Sequence, residues 1–119
     1  KVIYHTSAVI ACNYFITLVF QSARLLESLG IPEKEGVEAL YPLLEGTLKN
    51  LVNLGPVKAL TGPVARGDLN TIKKHQEALR EKHPSLLPLY NILKNYTVEV
   101  ALEKGSITSE MAKKLKKEE

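Results

Sequence analysis

The opening segment constrains the fold more than any other feature, because its apolar residues recur with helical spacing yet point in many directions around the axis. Residues 3–29 are predicted to form one helix that ends at Gly30, a natural C′ residue. A helix that is apolar nearly all round must be buried by neighbouring elements on several sides, either as the central helix of a bundle or in a subunit interface. Its apolar side chains are Tyr4, Ala8, Phe15, Leu18, Val19, Leu25 and Leu26.

Helical spacing continues through the rest of the chain, and no alternating segment is long enough to indicate a strand. The predicted class is therefore all-α, a helical bundle with a long central first helix, in a single domain over residues 1–119. A second helix should run from Pro32 to about residue 54, interrupted or kinked at Pro42 and closed by Gly55. Asp68 and Thr108 are predicted to cap later helices.

Two later helices are predicted to pack inward by their apolar faces. The last helix should direct Met111 and Leu115 inward and its lysines outward. The helix before it starts around residue 87 and ends near Gly105. Its predicted buried face consists of Leu89, Ile92, Leu93, Tyr96, Val100 and Ala101.

Charge and cysteine content favour an ordinary cytoplasmic protein. The net charge of +3 comes from the C-terminal lysines at positions 113, 114, 116 and 117, where no aromatic residue interleaves to form a base-stacking platform. We therefore expect a solvated terminal helix and no nucleic-acid partner. The lone Cys12 cannot form an internal disulfide and is expected to be a small buried hydrophobe.

Residues 8–20 resemble a short membrane segment or a signal core. The stretch contains Asn13 and Thr17, is too short to span a bilayer, and lacks a cleavage-site pattern. A buried helix is the favoured interpretation, with no membrane contact. Because the first residue is Lys1 and not methionine, we expect that a part of the protein precedes it.

Few residues stand out as carriers of chemistry. The three histidines are far apart with no partners at metal-ligand spacing, so no metal site is expected. A polar row does follow the opening helix, interrupted by Ile10. The row is either a polar face that meets solvent or another helix, or one wall of a ligand cleft with His5 beside its N-terminal end. Its members are Thr6, Asn13, Thr17, Gln21, Arg24 and Ser28.

A second candidate is the glycine-punctuated connection over residues 60–68. Gly62 and Gly67 are expected to supply unusual backbone angles, with Asp68 as the cap of the next helix. Arg66 is either a simple part of this turn or a contact for an anionic substrate or cofactor phosphate. The glycine count and the preceding helix do not fit a dinucleotide phosphate loop.

At these residues the sequence resembles a known family. The similar motifs are Tyr4-His5-Thr6-Ser7-Ala8, Cys12-Asn13-Tyr14, Gly30-Ile31-Pro32, the stretch from Tyr41 to Asn50, and residues 60–68. Together they resemble the C-terminal domain of unknown function that follows a Rossmann-like domain in bacterial NADP oxidoreductase-like proteins. The resemblance covers residues 4–79 well and the remainder loosely.

The resemblance implies a fold like the C-terminal helical domain of 6-phosphogluconate dehydrogenase and pyrroline-5-carboxylate reductase. In such proteins the Rossmann half binds the dinucleotide, while the helical half dimerises and completes the substrate cleft. This chain is then a non-catalytic piece on its own. It is expected to be a homodimer that works with an N-terminal Rossmann domain of the same protein, which binds NADP or NAD.

The sequence departs from the related hydroxyacid dehydrogenases at one catalytic position. Those enzymes carry a catalytic lysine on this helix, four residues before an asparagine. Asn13 matches the asparagine, but Val9 occupies the lysine position and cannot move a proton. His5 is the candidate replacement as acid or base, because histidine exchanges protons near neutral pH. The candidate catalytic residues are therefore His5 and Asn13, with Arg66 for substrate binding. The alternative is a free-standing helical interaction module, and a nucleic-acid binder ranks last.

Overall fold

The computed structural model describes all 119 residues, which form helices and no strand, so the predicted all-α class is confirmed. The chain divides into two compact units, Lys1–Leu44 and Glu45–Glu119. The α-helices are α1 Val2–Ala8, α2 Tyr14–Glu27, α3 Glu33–Ala59, α4 Pro63–Arg66, α5 Leu69–Lys82, α6 Leu87–Lys104 and α7 Ser109–Lys117. A π-helical turn, Val9–Asn13, joins α1 to α2, and a 3₁₀ turn, Pro84–Leu86, precedes α6.

The first unit begins with α1, the π turn and α2, which together form one N-terminal helix over Val2–Glu27. The predicted stop at Gly30 is confirmed, since this glycine adopts φ 85°. The Gly30 N–H donates to the Glu27 carbonyl at 2.9 Å and the Ile31 N–H donates to the Leu26 carbonyl at 3.2 Å. This pair of bonds is a Schellman motif, which satisfies carbonyls that the end of a helix leaves without partners.

The prediction that the N-terminal helix is buried is wrong for the single chain. No residue of α1 or of the π turn is buried, and Ala23 is the one buried residue of α2. Tyr4 is 82% exposed and Ile16 is 66% exposed, and Cys12 is exposed too. Helical spacing shows which side chains form an apolar surface. It does not show whether other residues of the same chain bury that surface.

A buried glycine lies where α3 meets α2 in the first unit. Gly36, near the start of α3, is buried, and a Cβ atom built there would lie 3.5 Å from Leu26 Cδ1 and 3.9 Å from the Ala23 Cβ. These are ordinary contact distances, so the space between the two helices would accept a methyl group.

Helix α3 continues through Pro42, so the predicted interruption there is absent. The proline costs the helix one backbone donor without ending it. Gly55 has non-helical backbone angles, with φ 81° and ψ 162°. This is the position at which the sequence predicted the end of the helix.

The second unit has a compact core formed by residues from α4 to α7. Ile72, Val98, Ala101 and Leu115 are at most 1% exposed. The predicted inward position of Leu115 is confirmed, and Met111 packs against this core as a partly buried side chain. Burial of such apolar side chains is the main favourable contribution to folding.

The predicted buried face of α6 is correct only in part. Ala101 is buried, but Ile92 is 54% exposed and Tyr96 is 71% exposed. The buried residues are Lys94, Val98 and Ala101, a stripe with spacings of four and three residues. The apolar residues of α6 lie all round the helix, so periodicity did not select the stripe that faces the core.

Candidate functional site

The predicted site residues His5 and Asn13 lie on the N-terminal helix, on either side of a change in helical geometry. His5 belongs to α1, and Asn13 is the last residue of the π turn, in which the Tyr14 N–H donates to the Val9 carbonyl. Both side chains are exposed. Single π turns are rare and occur frequently at functional sites.

The π turn lies between His5 and Asn13 and changes the angle expected between them around the helix axis. In an uninterrupted α-helix, at about 100° per residue, the two are about 80° apart around the axis. The wide turn holds one additional residue, which lowers the rotation by roughly 100° and leaves about 20° between them. Their separation along the axis is then about 11 Å, enough to border a ligand of several atoms.

The same geometry changes the polar row expected from the sequence. It puts Thr6 at about 120° from Asn13 and brings His5 closer to the direction of Asn13. The hydroxyl of Thr6 donates to the Val2 carbonyl at 2.8 Å, which is a bond within its own helix. Asn13, Thr17 and the polar residues beyond them keep the predicted arrangement, because α2 is regular.

The third predicted site residue, Arg66, lies in the second unit, on the short helix α4. Its side chain is 60% exposed, and its Nη2 lies 3.6 Å from Asp68 Oδ2. Gly62 and Gly67 on either side of α4 have φ values of 98° and 64°, so both supply the unusual backbone angles that the sequence predicted. Arg66 thus has an exposed guanidinium with one carboxylate neighbour.

Asp68 is the N-cap of α5, as predicted. Its Oδ1 accepts from the Thr71 N–H at 3.1 Å and its Oδ2 accepts from the Thr71 hydroxyl at 2.7 Å. These two hydrogen bonds lower the pKa of the Asp68 carboxyl, and Arg66 adds a smaller effect in the same direction. The carboxylate therefore has a structural role at the helix start.

Sequence reasoning missed a buried polar cluster in the second unit. Gln76 is 1% exposed and Lys94 is 3% exposed, and both donate to the backbone carbonyl of Glu118. Gln76 Nε2 also donates to Asn91 Oδ1 at 2.9 Å. A lysine on a helix is normally read as a solvent-facing residue, so the sequence carried no signal for this burial.

A pairing of His75 with Tyr90 was also missed. His75 Nδ1 lies 3.0 Å from the Tyr90 hydroxyl oxygen, and the two residues come from α5 and α6. His75 was weighed only as a metal ligand, and no group of three histidine, cysteine, aspartate or glutamate side chains in the chain is placed to hold a metal ion. Residue spacing within one helix does not show where two helices cross, so the sequence could not predict this pair.

Comparison with known proteins gives one result. Residues 1–97 match the family described as Domain of unknown function (DUF2520). The chain belongs to this family. A search of curated proteins and a search of solved structures each gave no match. The DUF2520 match includes His5, Asn13 and Arg66, and it ends within α6.

In this DUF2520 domain the N-terminal helix is also long and apolar enough to cross a membrane by length and composition. Val2–Glu27 has 26 residues, and one of its windows reaches a mean hydropathy of 1.5. The apolar helix is thus longer than residues 8–20 suggested. A core helix of a soluble protein and a signal sequence meet the same criteria, so this observation by itself assigns no membrane role.

Proposed function

We propose that this DUF2520 domain is the dimerisation and substrate-cleft domain of a cytoplasmic NAD(P)-dependent oxidoreductase. A Rossmann domain of the same protein would bind the dinucleotide, and this chain alone would turn over no substrate. One observation carries the proposal: the N-terminal helix exposes apolar side chains on most of its circumference, and a π turn separates its exposed polar residues His5 and Asn13.

The apolar exposure supports a subunit interface. Ile3, Tyr4, Ile10 and Ile16 are each more than half exposed in the single chain. Monomeric proteins rarely expose contiguous apolar patches larger than a few hundred Å². A helix of 26 residues is about 39 Å long, and half of its lateral surface is on the order of 600 Å². A standard interface needs about 800 Å² per partner, so a second copy packed on this helix and its neighbours fits.

The polar face supports a substrate cleft. In the proposal His5 exchanges a proton with the substrate, and Asn13 orients the substrate by hydrogen bonds. Separately, Arg66 in the second unit is proposed as a contact for an anionic ligand, because guanidinium forms strong charge-assisted bonds with carboxylate or phosphate. Val9 lies between His5 and Asn13 in the sequence and supplies no acid or base.

The residues of this chain do not fit a dinucleotide. Classical dinucleotide sites use a glycine-rich turn between a strand and a helix, and this chain has no strand. Gly62 and Gly67 flank α4, a helix of four residues that follows another helix. The proposal therefore assigns the dinucleotide to the separate Rossmann domain and derives no step of the reaction from it.

The first test measures mass in solution by light scattering across a concentration range. The chain is expected to be a dimer that persists at low concentration. Ile16→Glu should convert it to a monomer, because a charge in the middle of an apolar interface is not solvated. The matched control is Ile92→Glu, which changes an isoleucine on α6 that is 54% exposed, and it should leave the dimer intact. A wild-type chain that is monomeric at all concentrations would contradict the dimer.

The second test uses the full-length protein. It should bind NADPH or NADH, whereas the 119-residue chain should bind neither firmly. His5→Ala should lower the turnover rate of the full-length protein while leaving dinucleotide affinity unchanged. An unchanged rate in that variant would remove His5 from the mechanism.

The alternative is a free-standing helical module in which the exposed N-terminal helix binds another protein. Two observations favour this alternative. The N-terminal helix is exposed, and Val9 occupies the position of the catalytic lysine in the related dehydrogenases. A monomeric chain and a full-length protein without dinucleotide binding would favour it. Partition of the chain into uncharged phosphatidylcholine vesicles would instead assign the helix to a membrane.

A further inference from the structure

A cleft of about 300 Å³ lies in the second unit, among residues of α4, α5 and α6 and Thr61, two residues before α4. Its wall is mostly apolar and includes Pro63, Val64, Ile72 and Leu93. Ligand pockets in proteins have volumes of roughly 300–1,000 Å³ and combine apolar walls with a few oriented polar groups. This cleft has the volume of a site for a small molecule.

The oriented polar groups are the His75 imidazole and the Tyr90 hydroxyl, which both line the cleft. The atoms Nδ1 and Oη are 3.0 Å apart, and the two rings meet edge to face at 87° with centroids 5.9 Å apart. Hydrogen bond and ring contact together hold each side chain in one orientation. Burial raises the pKa of the Tyr90 hydroxyl, so it keeps its proton at neutral pH.

The pair always leaves one hydrogen-bond donor free. When Tyr90 donates to Nδ1 of neutral His75, the proton of the histidine is on Nε2 and remains available. When His75 donates from Nδ1, the hydroxyl proton of Tyr90 remains available instead. Either tautomer thus offers one N–H or O–H donor to a molecule that brings an acceptor.

Besides the uncharged Thr61, two other polar side chains line the wall, and both are already engaged. The ammonium group of Lys94 donates to the Glu118 carbonyl, and the hydroxyl of Thr97 donates to the Leu93 carbonyl at 2.7 Å. No free cation of the wall is therefore left to attract an anion. The wall favours a neutral acceptor, because a buried charge without a partner is costly.

We propose that this cleft binds a small, uncharged, mostly apolar molecule whose carbonyl oxygen accepts a hydrogen bond from the His75–Tyr90 pair. The site lies within the second unit and uses none of His5, Asn13 and Arg66. It is therefore independent of the proposed dimer and of the proposed oxidoreductase activity.

The test is a nuclear magnetic resonance titration of the 119-residue chain with two probes of matched shape, acetophenone and ethylbenzene. Acetophenone carries the carbonyl group and ethylbenzene lacks it. Acetophenone should shift the backbone amide signals around the cleft in a saturable manner, and ethylbenzene should bind several-fold more weakly. Tyr90→Phe should weaken acetophenone binding by up to about 5-fold, because it removes either the donating hydroxyl or the bond that orients the His75 donor, and it should leave ethylbenzene binding unchanged.

The matched control is Tyr96→Phe, which removes the hydroxyl of a tyrosine that is 71% exposed on the same helix. It should bind acetophenone as the wild type does. Absence of saturable shifts with acetophenone would overturn the proposal, and so would equal affinity for the two probes. The comparison of the probes in the wild type decides the proposal even if Tyr90→Phe perturbs the fold.

Discussion

Gly67 lies directly against Met111: a Cβ atom at position 67 would stand 3.0 Å from Met111 Cγ. Gly67 also has φ 64°, a left-handed conformation that costs other residues roughly 1–2 kcal/mol. Gly67→Ala should therefore lower the free energy of unfolding by about 2–3 kcal/mol, from backbone strain and crowding together. Urea denaturation measures the change.

Gly105 provides the comparison for that substitution. It has φ 77°, but a Cβ atom there meets nothing within 4 Å. Gly105→Ala should thus lower the free energy of unfolding by about 1 kcal/mol, from backbone strain alone. Equal losses for the two variants would show that contact with Met111 contributes nothing.

Gly36 is expected to respond in the opposite direction. A Cβ atom at this position would make ordinary contacts, 3.5 Å from Leu26 Cδ1, and the residue is helical. Gly36→Ala should therefore stabilise the chain by about 0.5–1 kcal/mol, because glycine loses more backbone entropy in a helix than alanine. Gly46→Ala, with nothing within 4 Å, is the control and should give a similar gain. A loss at Gly36 alone would mean that α2 and α3 tolerate no methyl group there.

Asp68 should make stability depend on acid pH. Hydrogen bonds from Thr71 lower the pKa of its carboxyl below the usual 3.8, so the unfolded chain binds more protons in that range. The stabilisation is complete above pH 3.8 and is lost as the pH falls through the lowered value. Asp68→Asn keeps a cap but does not titrate, so thermal unfolding between about pH 2 and 5 should vary less.

The control for Asp68→Asn is Glu77→Gln, an exposed change on the same helix. It should preserve the wild-type pH profile. If the Asp68→Asn profile also matched the wild type, the carboxylate would have no special interaction in the folded state.

Lys94 should also make stability rise with pH, in the alkaline range, but here the cause is that the charged group is destabilised by burial. Burial lowers the pKa of its ammonium group, and the nearby Glu119 and Glu118 charges oppose this only in part. The folded chain then binds fewer protons than the unfolded chain as the pH nears the usual 10.5, so stability rises with pH. Lys94→Met should raise the free energy of unfolding by about 1 kcal/mol at neutral pH and abolish that rise.

The Glu118 carbonyl keeps a donor in the Lys94→Met variant, because Gln76 Nε2 lies 3.0 Å away. The control is Lys104→Met, since Lys104 donates to the carbonyls of Lys58 and Leu60 at 2.9 Å and 3.0 Å but is exposed. That variant should lose stability. A loss in Lys94→Met as well would mean that its hydrogen bond outweighs its desolvation.

Helix ends were predictable because their chemistry is local. Gly30 and Gly105 adopt the left-handed angles expected at a helix C-terminus. Asp68 and Thr108 accept from the backbone N–H groups of Thr71 and Met111, three residues on in each case. Each of these features depends on a few adjacent residues, so the sequence contains all the information that determines it.

The site around His5, Asn13 and Arg66 stays a prediction. The sequence did not predict the π turn between His5 and Asn13, because one inserted residue in a turn has no marker in hydrophobic spacing. Likewise, no spacing rule pairs His75 on α5 with Tyr90 on α6. Such pairs arise where two helices cross.

By itself, the sequence determined the all-α class, most helix ends and the caps, because backbone preference and periodicity act over a few residues. Only the tertiary structure decided which apolar stripe of α6 is buried, that Lys94 and Gln76 lie inside, and that the N-terminal helix is uncovered in the single chain. Burial depends on which surfaces the whole chain brings together. A helix that is apolar all round does not specify its own partner.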